Sequence, residues 1–390
     1  MSSISRKTIP SSLPQSEETP LFAFRSRRGN IAGFGRKADV TRGSVATIEA
    51  RLADFFHRAG PDAVVAGALP FARGAADYLW QADHTRSGTF FGRQASLPQS
   101  NWRLRQEPSA EAYADAVRRA LAIMAEEAGH PDALAKIVLA RTLVAKAAQP
   151  IDVTAVLGRL STDPATTAFL VPLPDRNQMP RALVGATPEL LLSKSGARIS
   201  SHPLAGSAKR QPSLAADAKA ATTLGRSEKD HREHRLVVEF ILDTLAPYCH
   251  RLLLPEGATV TCTNSMWHLG TRIEGELKDA AMPVAVLAAA LHPTPAVCGV
   301  PRERAAGIIT ELEPHDRDFY AGAVGWCDGR GDGAWYVTIR CAELSGDEAR
   351  LYAGAGIVPG SDPQAEAEET GAKFGAMLAA LGIRLEGGRA

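Results

Sequence analysis

The sequence predicts an α+β fold built on large antiparallel sheets, and three observations carry that expectation. Short apolar and β-branched runs follow one another with Gly- and Pro-rich turns between them. The helical stretches are grouped between strands, without the regular βαβ alternation that a parallel sheet needs. Near the end, residues 321–328 and 334–344 flank GRGDG as a hairpin, with Trp335, Val337, Ile339 and Cys341 alternating with Tyr336, Thr338 and Arg340 on a polar face.

Taken in order, residues 1–20 are rich in Ser and Pro and lack the apolar run of a signal peptide, so they read as a mobile tail. Residues 21–34 and 63–71 have strand character, with a helix over 45–57 between them. Pro108-Ser109 opens a helix whose Tyr113, Val117, Leu121 and Met124 recur at helical spacing until Gly129. From residue 135 the period changes to two: Lys136, Val138 and Ala140 alternate with Ile137, Leu139 and Arg141, so Lys136 opens a strand on its small apolar face. Strands follow at 167–172, 183–185 and 189–193, then a Lys194-Ser195-Gly196 turn into 197–207. Glu189 leaves a Thr187-Pro188 corner into Leu190-Leu191-Leu192, an acid at the mouth of a buried strand. By pattern alone, a rim lysine and a turn acid are the commoner readings of Lys136 and Glu189.

Residues 207–226 are polar and alanine-rich, a loop and an exposed helix. The helix after them carries Val237, Phe240, Ile241, Leu245 and Tyr248 on one face. Glu233 stands one turn before Val237 and so points with the apolar stripe; the alternative is a wet i,i+4 pair with Lys229. Strands at 259–262 and 267–274, an apolar helix at 282–292 and a Pro/Gly-rich loop at 291–305 lead to the hairpin. A third strand, 351–358, turns at Pro359-Gly360 into a last helix that Asp362 or Ser361 can cap, with Pro363 in its first turn. There Glu366, Glu369, Lys373 and Met377 share a stripe beside Phe374, Leu378 and Leu381. Acids favour a helix start in any case. Two inward carboxylates from different helices are also the expected way to hold Mg²⁺, which takes one or two protein carboxylates plus waters and substrate oxygens.

Composition narrows the partners. With 44 Lys+Arg against 43 Asp+Glu, the net charge of +1 gives no global attraction to nucleic acid or an anionic membrane. The longest apolar run, 282–291, is too short to span a bilayer. Five scattered cysteines without a CxxC pair indicate neither zinc nor a disulfide framework, and fit a cytoplasmic protein.

Six ordered motifs then carry a resemblance: HPLAGSAKR, SEKDHREH, MWHLGTRIEG, LHPTPAVCGVPRERA, EPHDRDFYAGAVGWCDGRGDGAWYVTIRCAEL and LYAGAGIVPGSDPQAEAEETGAKF. Together they resemble the chorismate-utilising enzymes, and within them are most similar to isochorismate synthases of catechol-siderophore pathways. The likeness is dense over about 130–385. It implies a single domain, 21–390, of two large, mostly antiparallel sheets packed together with helices outside. It implies Lys136 as the general base that activates water, Glu189 as the general acid, and Glu233 and Glu369 as Mg²⁺ ligands helped by Asp230 and Glu366. Arg340 and Tyr320 match residues that hold the enolpyruvyl carboxylate, while Ser207, His268, Lys373 and the Gly354 backbone line the substrate site. Many relatives carry Leu, Thr or Ala where this chain has Ala296-Val297, at the pocket floor. The implied partner is chorismate alone, with no amidotransferase subunit. Ala205 stands where one type of aminodeoxychorismate synthase has a lysine, which argues against an ammonia-using enzyme. A salicylate synthase, which would go on to eliminate pyruvate, and a non-catalytic chorismate-binding protein are the remaining alternatives.

Overall fold

A computed structural model of the chain describes residues 19–88 and 101–384. The expected tail falls almost wholly outside the described residues. The first strands are β1 (Phe22–Ser26) and β2 (Gly29–Asp39), a hairpin where one strand was expected, followed by α1 (Ile48–Ala59), β3 (Val64–Leu69), β4 (Tyr78–Ser87) and β5 (Arg103–Glu107). Then come α2 (Ala110–Glu126), β6 (Lys136–Lys146), α3 (Val153–Leu160), β7 (Thr167–Arg176), β8 (Met179–Thr187), β9 (Leu190–Ser195), β10 (Arg198–His202) and β11 (Leu204–Lys209). The helices α4 (Leu214–Arg226) and α5 (Glu228–Leu245) precede β12 (Cys249–Leu253), β13 (Ala258–Cys262), β14 (Met266–Thr271) and β15 (Ile273–Leu277). The chain closes with α6 (Val284–Leu291), β16 (Gly299–Val300), α7 (Arg302–Leu312), β17 (Ala323–Asp328), β18 (Gly333–Val337), β19 (Cys341–Ser345), β20 (Glu348–Ile357) and α8 (Pro363–Leu381).

Hydrogen bonds join 17 of these strands into one antiparallel ribbon, and β11, β14 and β13 form a separate sheet. One half of the ribbon runs β5-β6-β20-β19-β8-β7-β1. Through the β1–β2 hairpin it passes into β2-β4-β3-β17-β18-β9-β10-β15-β12. The halves share a core: Trp80 and Trp335 are fully buried, and Phe24 of β1 stacks on Tyr336 of β18 with centroids 6.0 Å apart. The α+β class with large antiparallel sheets is thus the observed one.

Three expectations change. The strand expected over 334–344 is broken: β18 belongs to one half of the ribbon, β19 to the other, and Thr338-Ile339-Arg340 carry the chain across. Arg340 makes the bend in the left-handed region at φ +52°, so it lies at a buried crossover rather than on a polar face. The strand expected over 267–274 divides for the same reason, since β14 and β15 sit in different sheets. The stretch read as a loop through 305 turns helical at Arg302, where Ala305, Ile308, Ile309 and Leu312 bury one face of α7.

Two helices position the chemistry. In α5, Ser227 caps the first turn and Val237, Ile241 and Leu245 are buried. At roughly 1.5–3 kcal/mol per buried aliphatic side chain, that stripe fixes the rotation of the helix and turns Glu233 inward. In α8, Asp362 accepts the Ala365 N–H, Pro363 opens the first turn and Phe374, Met377, Leu378 and Leu381 are buried. Arg141 of β6 ties this helix to the sheet, its Nε donating to Thr370 Oγ1 at 2.7 Å. No helix of the described residues is long and apolar enough to cross a membrane, and the five cysteines are free.

Candidate active site

One cavity gathers almost every residue that the sequence singled out. Its walls are α5 (Lys229, Asp230, Glu233), α8 (Glu366, Glu369, Lys373), β20 (Tyr352, Gly354, Gly356), the start of β11 (Leu204 to Ser207), and Pro188, Glu189, His268, Tyr320 and Arg340. Lys136 is the exception. It is fully buried at the start of β6, behind Glu233, with its Nζ 3.0 Å from Glu233 Oε1. That contact is an ion pair without hydrogen-bond alignment, and the ammonium finds no other acceptor among the described residues. Gly356 of β20 makes the arrangement possible: a Cβ there would fall inside the Glu233 carboxylate and 3.3 Å from Lys136 Cε.

The rim of the cavity is a set of acids matched by lysines. Lys229 Nζ lies 2.7 Å from Glu366 Oε1, bridging α5 to α8. Lys373 Nζ lies 2.5 Å from Glu369 Oε1 and donates to the Gly354 carbonyl at 2.9 Å, while Ser207 Oγ donates to Glu369 Oε1 at 2.9 Å. The wet Lys229–Glu233 pair considered from the sequence is replaced by these cross-element pairs. Burial would raise the Glu369 carboxyl, but Lys373, Ser207 and Lys229 outweigh it and hold the group below the usual range. Asp230 is pushed up by burial, with Glu233 and Glu369 adding to the effect. Glu366 is also pushed up, by burial and then by Glu369.

The inner end is different. Burial raises the Glu189 carboxyl to about 8, against the opposing pull of Lys136, a backbone N–H of Leu204 and Arg340. His268 is held neutral: burial, then Arg340 and Lys373, push its pKa well down, and its Nε2 has no hydrogen-bond partner among the described residues. Arg340 is pushed down to about 10 by burial and makes no ion pair among the described residues. A guanidinium in that state still carries its charge at neutral pH, so it is an available anion receptor. Tyr320 stacks on Tyr352 at 4.6 Å, and burial raises its phenol.

This arrangement joins a desolvated carboxyl, a guanidinium without an ion pair among the described residues and a carboxylate rim in one chamber, with a buried lysine behind the rim. A family model described as chorismate binding enzyme matches residues 73–382. The chain belongs to the chorismate-binding enzymes. Isochorismate synthase DhbC of Bacillus subtilis (strain 168) is 40% identical over 348 residues, 86% of either chain. Isochorismate synthase EntC of Escherichia coli (strain K12) is 40% identical over 328 residues, 82% of this chain and 81% of its own. The crystal structure of DhbC from Bacillus anthracis matches with a TM-score of 0.87 at 38% identity, over 95% of this chain and 98% of that one. Anthranilate synthase component I of Streptococcus pneumoniae TIGR4 shares the fold, with a TM-score of 0.68 at 18% identity.

Several supports of this family site were not read from the sequence. Arg317 is fully enclosed, donating to the Val138 carbonyl at 2.6 Å and the Val297 carbonyl at 2.8 Å and pairing with Glu313. It lies 5.9 Å from the Tyr320 ring and so fixes both that ring and the 296–297 floor. Lys229, Gly356 and Tyr352 also line the cavity, and the local signals for these supports are an arginine two residues after EPH and a glycine two residues after Gly354.

Among the described residues no group of three or more His, Cys, Asp or Glu gathers as a metal cage. The donor set still fits Mg²⁺: Glu233 and Glu369 bring oxygen ligands from facing helices to one cavity, and this ion needs no more than one or two protein carboxylates.

Proposed function

We propose that the cavity makes isochorismate from chorismate, reversibly, adding water at C2 as the C4 hydroxyl leaves. The Glu189 carboxyl carries the reading. A carboxyl raised to about 8 is mainly protonated at neutral pH, as an acid must be to deliver a proton to a departing hydroxyl. Lys136, enclosed behind Glu233, would take the proton of the attacking water as a neutral amine, after its ammonium has released a proton to solvent. One C–O bond forms at C2, one breaks at C4, both ring double bonds shift by one position, and a water enters for each that leaves.

Arg340 and Tyr320 receive the enolpyruvyl carboxylate, where a guanidinium without an ion pair among the described residues and a phenol line the same cavity. His268, Lys373, Ser207 and the Gly354 backbone orient the ring. Glu233 and Glu369 would hold Mg²⁺, with Asp230 and Glu366 beside them; the ion would offset the charge of the ring carboxylate. Water, not ammonia, is the nucleophile, so no amidotransferase is required. The reading takes 21–390 as one catalytic domain, working in the cytoplasm and supplying 2,3-dihydroxybenzoate for catechol siderophores. The isochorismate synthases similar over most of the chain support it.

The test is the product formed from chorismate and Mg²⁺ with no ammonia or partner protein. The expected result is one equilibrium mixture of chorismate and isochorismate reached from either side. Stoichiometric pyruvate and salicylate would overturn it in favour of a salicylate synthase.

A further inference from the structure

The rim holds one lysine more than the proposed reaction uses. Lys136 and Lys373 pair with Glu233 and Glu369, the two expected ligands, and must yield those oxygens when a cation arrives. Lys229 pairs instead with Glu366, whose carboxylate is 4% exposed and lies beside the ligands rather than among them. Nothing in cation binding displaces it. Its ammonium therefore stays on the cavity wall, alongside Asp230, Glu233 and Glu369, as a fixed positive charge next to an incoming divalent ion.

We infer that Lys229 is a positioning residue that acts as a built-in counter-cation: it weakens divalent-cation binding to the empty cavity and so couples that binding to arrival of the dianionic substrate. The inference rests on the reading of Glu233 and Glu369 as ligands. Without Lys229, the four rim carboxylates would attract a cation strongly with no substrate present. With it, part of that attraction is cancelled until the substrate's ring carboxylate restores the balance, which is a coupling free energy between two sites. Its charge also helps Lys373 and Ser207 to hold the Glu369 carboxyl down, although Lys229 forms its ion pair with Glu366. A simple strap between α5 and α8 would act in the opposite direction, since loosening the rim should weaken metal binding.

The experiment is Mn²⁺ binding to the full chain, read by the EPR signal of free Mn²⁺, with and without the equilibrated chorismate and isochorismate mixture. Lys229→Met is expected to tighten Mn²⁺ binding to the empty protein by roughly three- to tenfold, the scale of a unit charge several ångströms away at high effective dielectric. The factor by which the substrate mixture tightens Mn²⁺ should shrink to match. Lys229→Arg should keep wild-type values, and Lys229→Met combined with Glu366→Gln should return close to them because the net charge is restored. Weaker or unchanged Mn²⁺ binding in Lys229→Met would overturn the inference and leave a strap. A wild-type protein whose Mn²⁺ binding ignores Glu369→Gln would overturn the ligand reading itself, and the inference with it.

Discussion

The two ends of the cavity handle charge by opposite means. At the rim, Glu233, Glu366 and Glu369 each lie against a lysine, so every acid there has a cationic neighbour. At the inner end, Glu189, His268 and Arg340 form no such pairs among the described residues, and burial moves each pKa toward the neutral form. Pairing suits groups that must exchange partners when ligands arrive. Desolvation suits groups that must hold a proton, or stay neutral, while a reaction passes over them.

Removing one rim acid is the most severe way to break this contrast. Glu369→Ala, or excess EDTA on the wild type, is expected to abolish turnover while the circular dichroism of the fold is kept; full activity in EDTA would remove the metal from the scheme. Lys136→Ala acts between the two ends. It should lower kcat by roughly 10² or more, the usual scale of lost general-base catalysis, with chorismate binding largely intact. An unchanged rate with a raised KM would make Lys136 an anchor.

The mildest effect sharpens the inner end. Between its ordinary value of 4.5 and about 8, the folded state holds the Glu189 proton that the unfolded state has lost. Stability contributed at this position therefore falls as pH rises through that window, by at most about 1.4 kcal/mol per pH unit. In urea unfolding, Glu189→Gln should flatten this slope relative to the wild type. Identical slopes would show a carboxyl that is not desolvated in the fold.

What the sequence revealed followed from local periodicity. Glu233 one turn before Val237 was legible as inward because a buried stripe fixes helix rotation, and Asp362 and Pro363 marked the start of α8. Lys136 was legible as the first residue of a strand, but not as a buried one, because its enclosure comes from Glu233 and β20. The alternation misleads at Arg340 because period two runs unbroken through 338–340 while the chain crosses from one half of the ribbon to the other, and strand pairing is not local. Lys229 was weighed against Glu233 on its own helix, whereas its partner is on α8, far along the chain. The roles of these residues came from family resemblance; periodicity supplied only their faces.

The pairing of β6 with β20 sets a timetable for the protein's birth. Ile137 lies opposite Ile357, so the strand that begins with Lys136, already paired with β5, finds its neighbour on the other edge only after more than half the chain has followed it. Contacts of such long sequence separation form slowly and late. During synthesis, the apolar β6 must wait beside the ribosome with one edge open, a hazard for aggregation. The arrival of β20 and α8 closes that edge and delivers Glu366, Glu369 and Lys373 in the same event. A nascent or truncated chain thus has no partly working cavity: completion of the fold and acquisition of chemistry coincide.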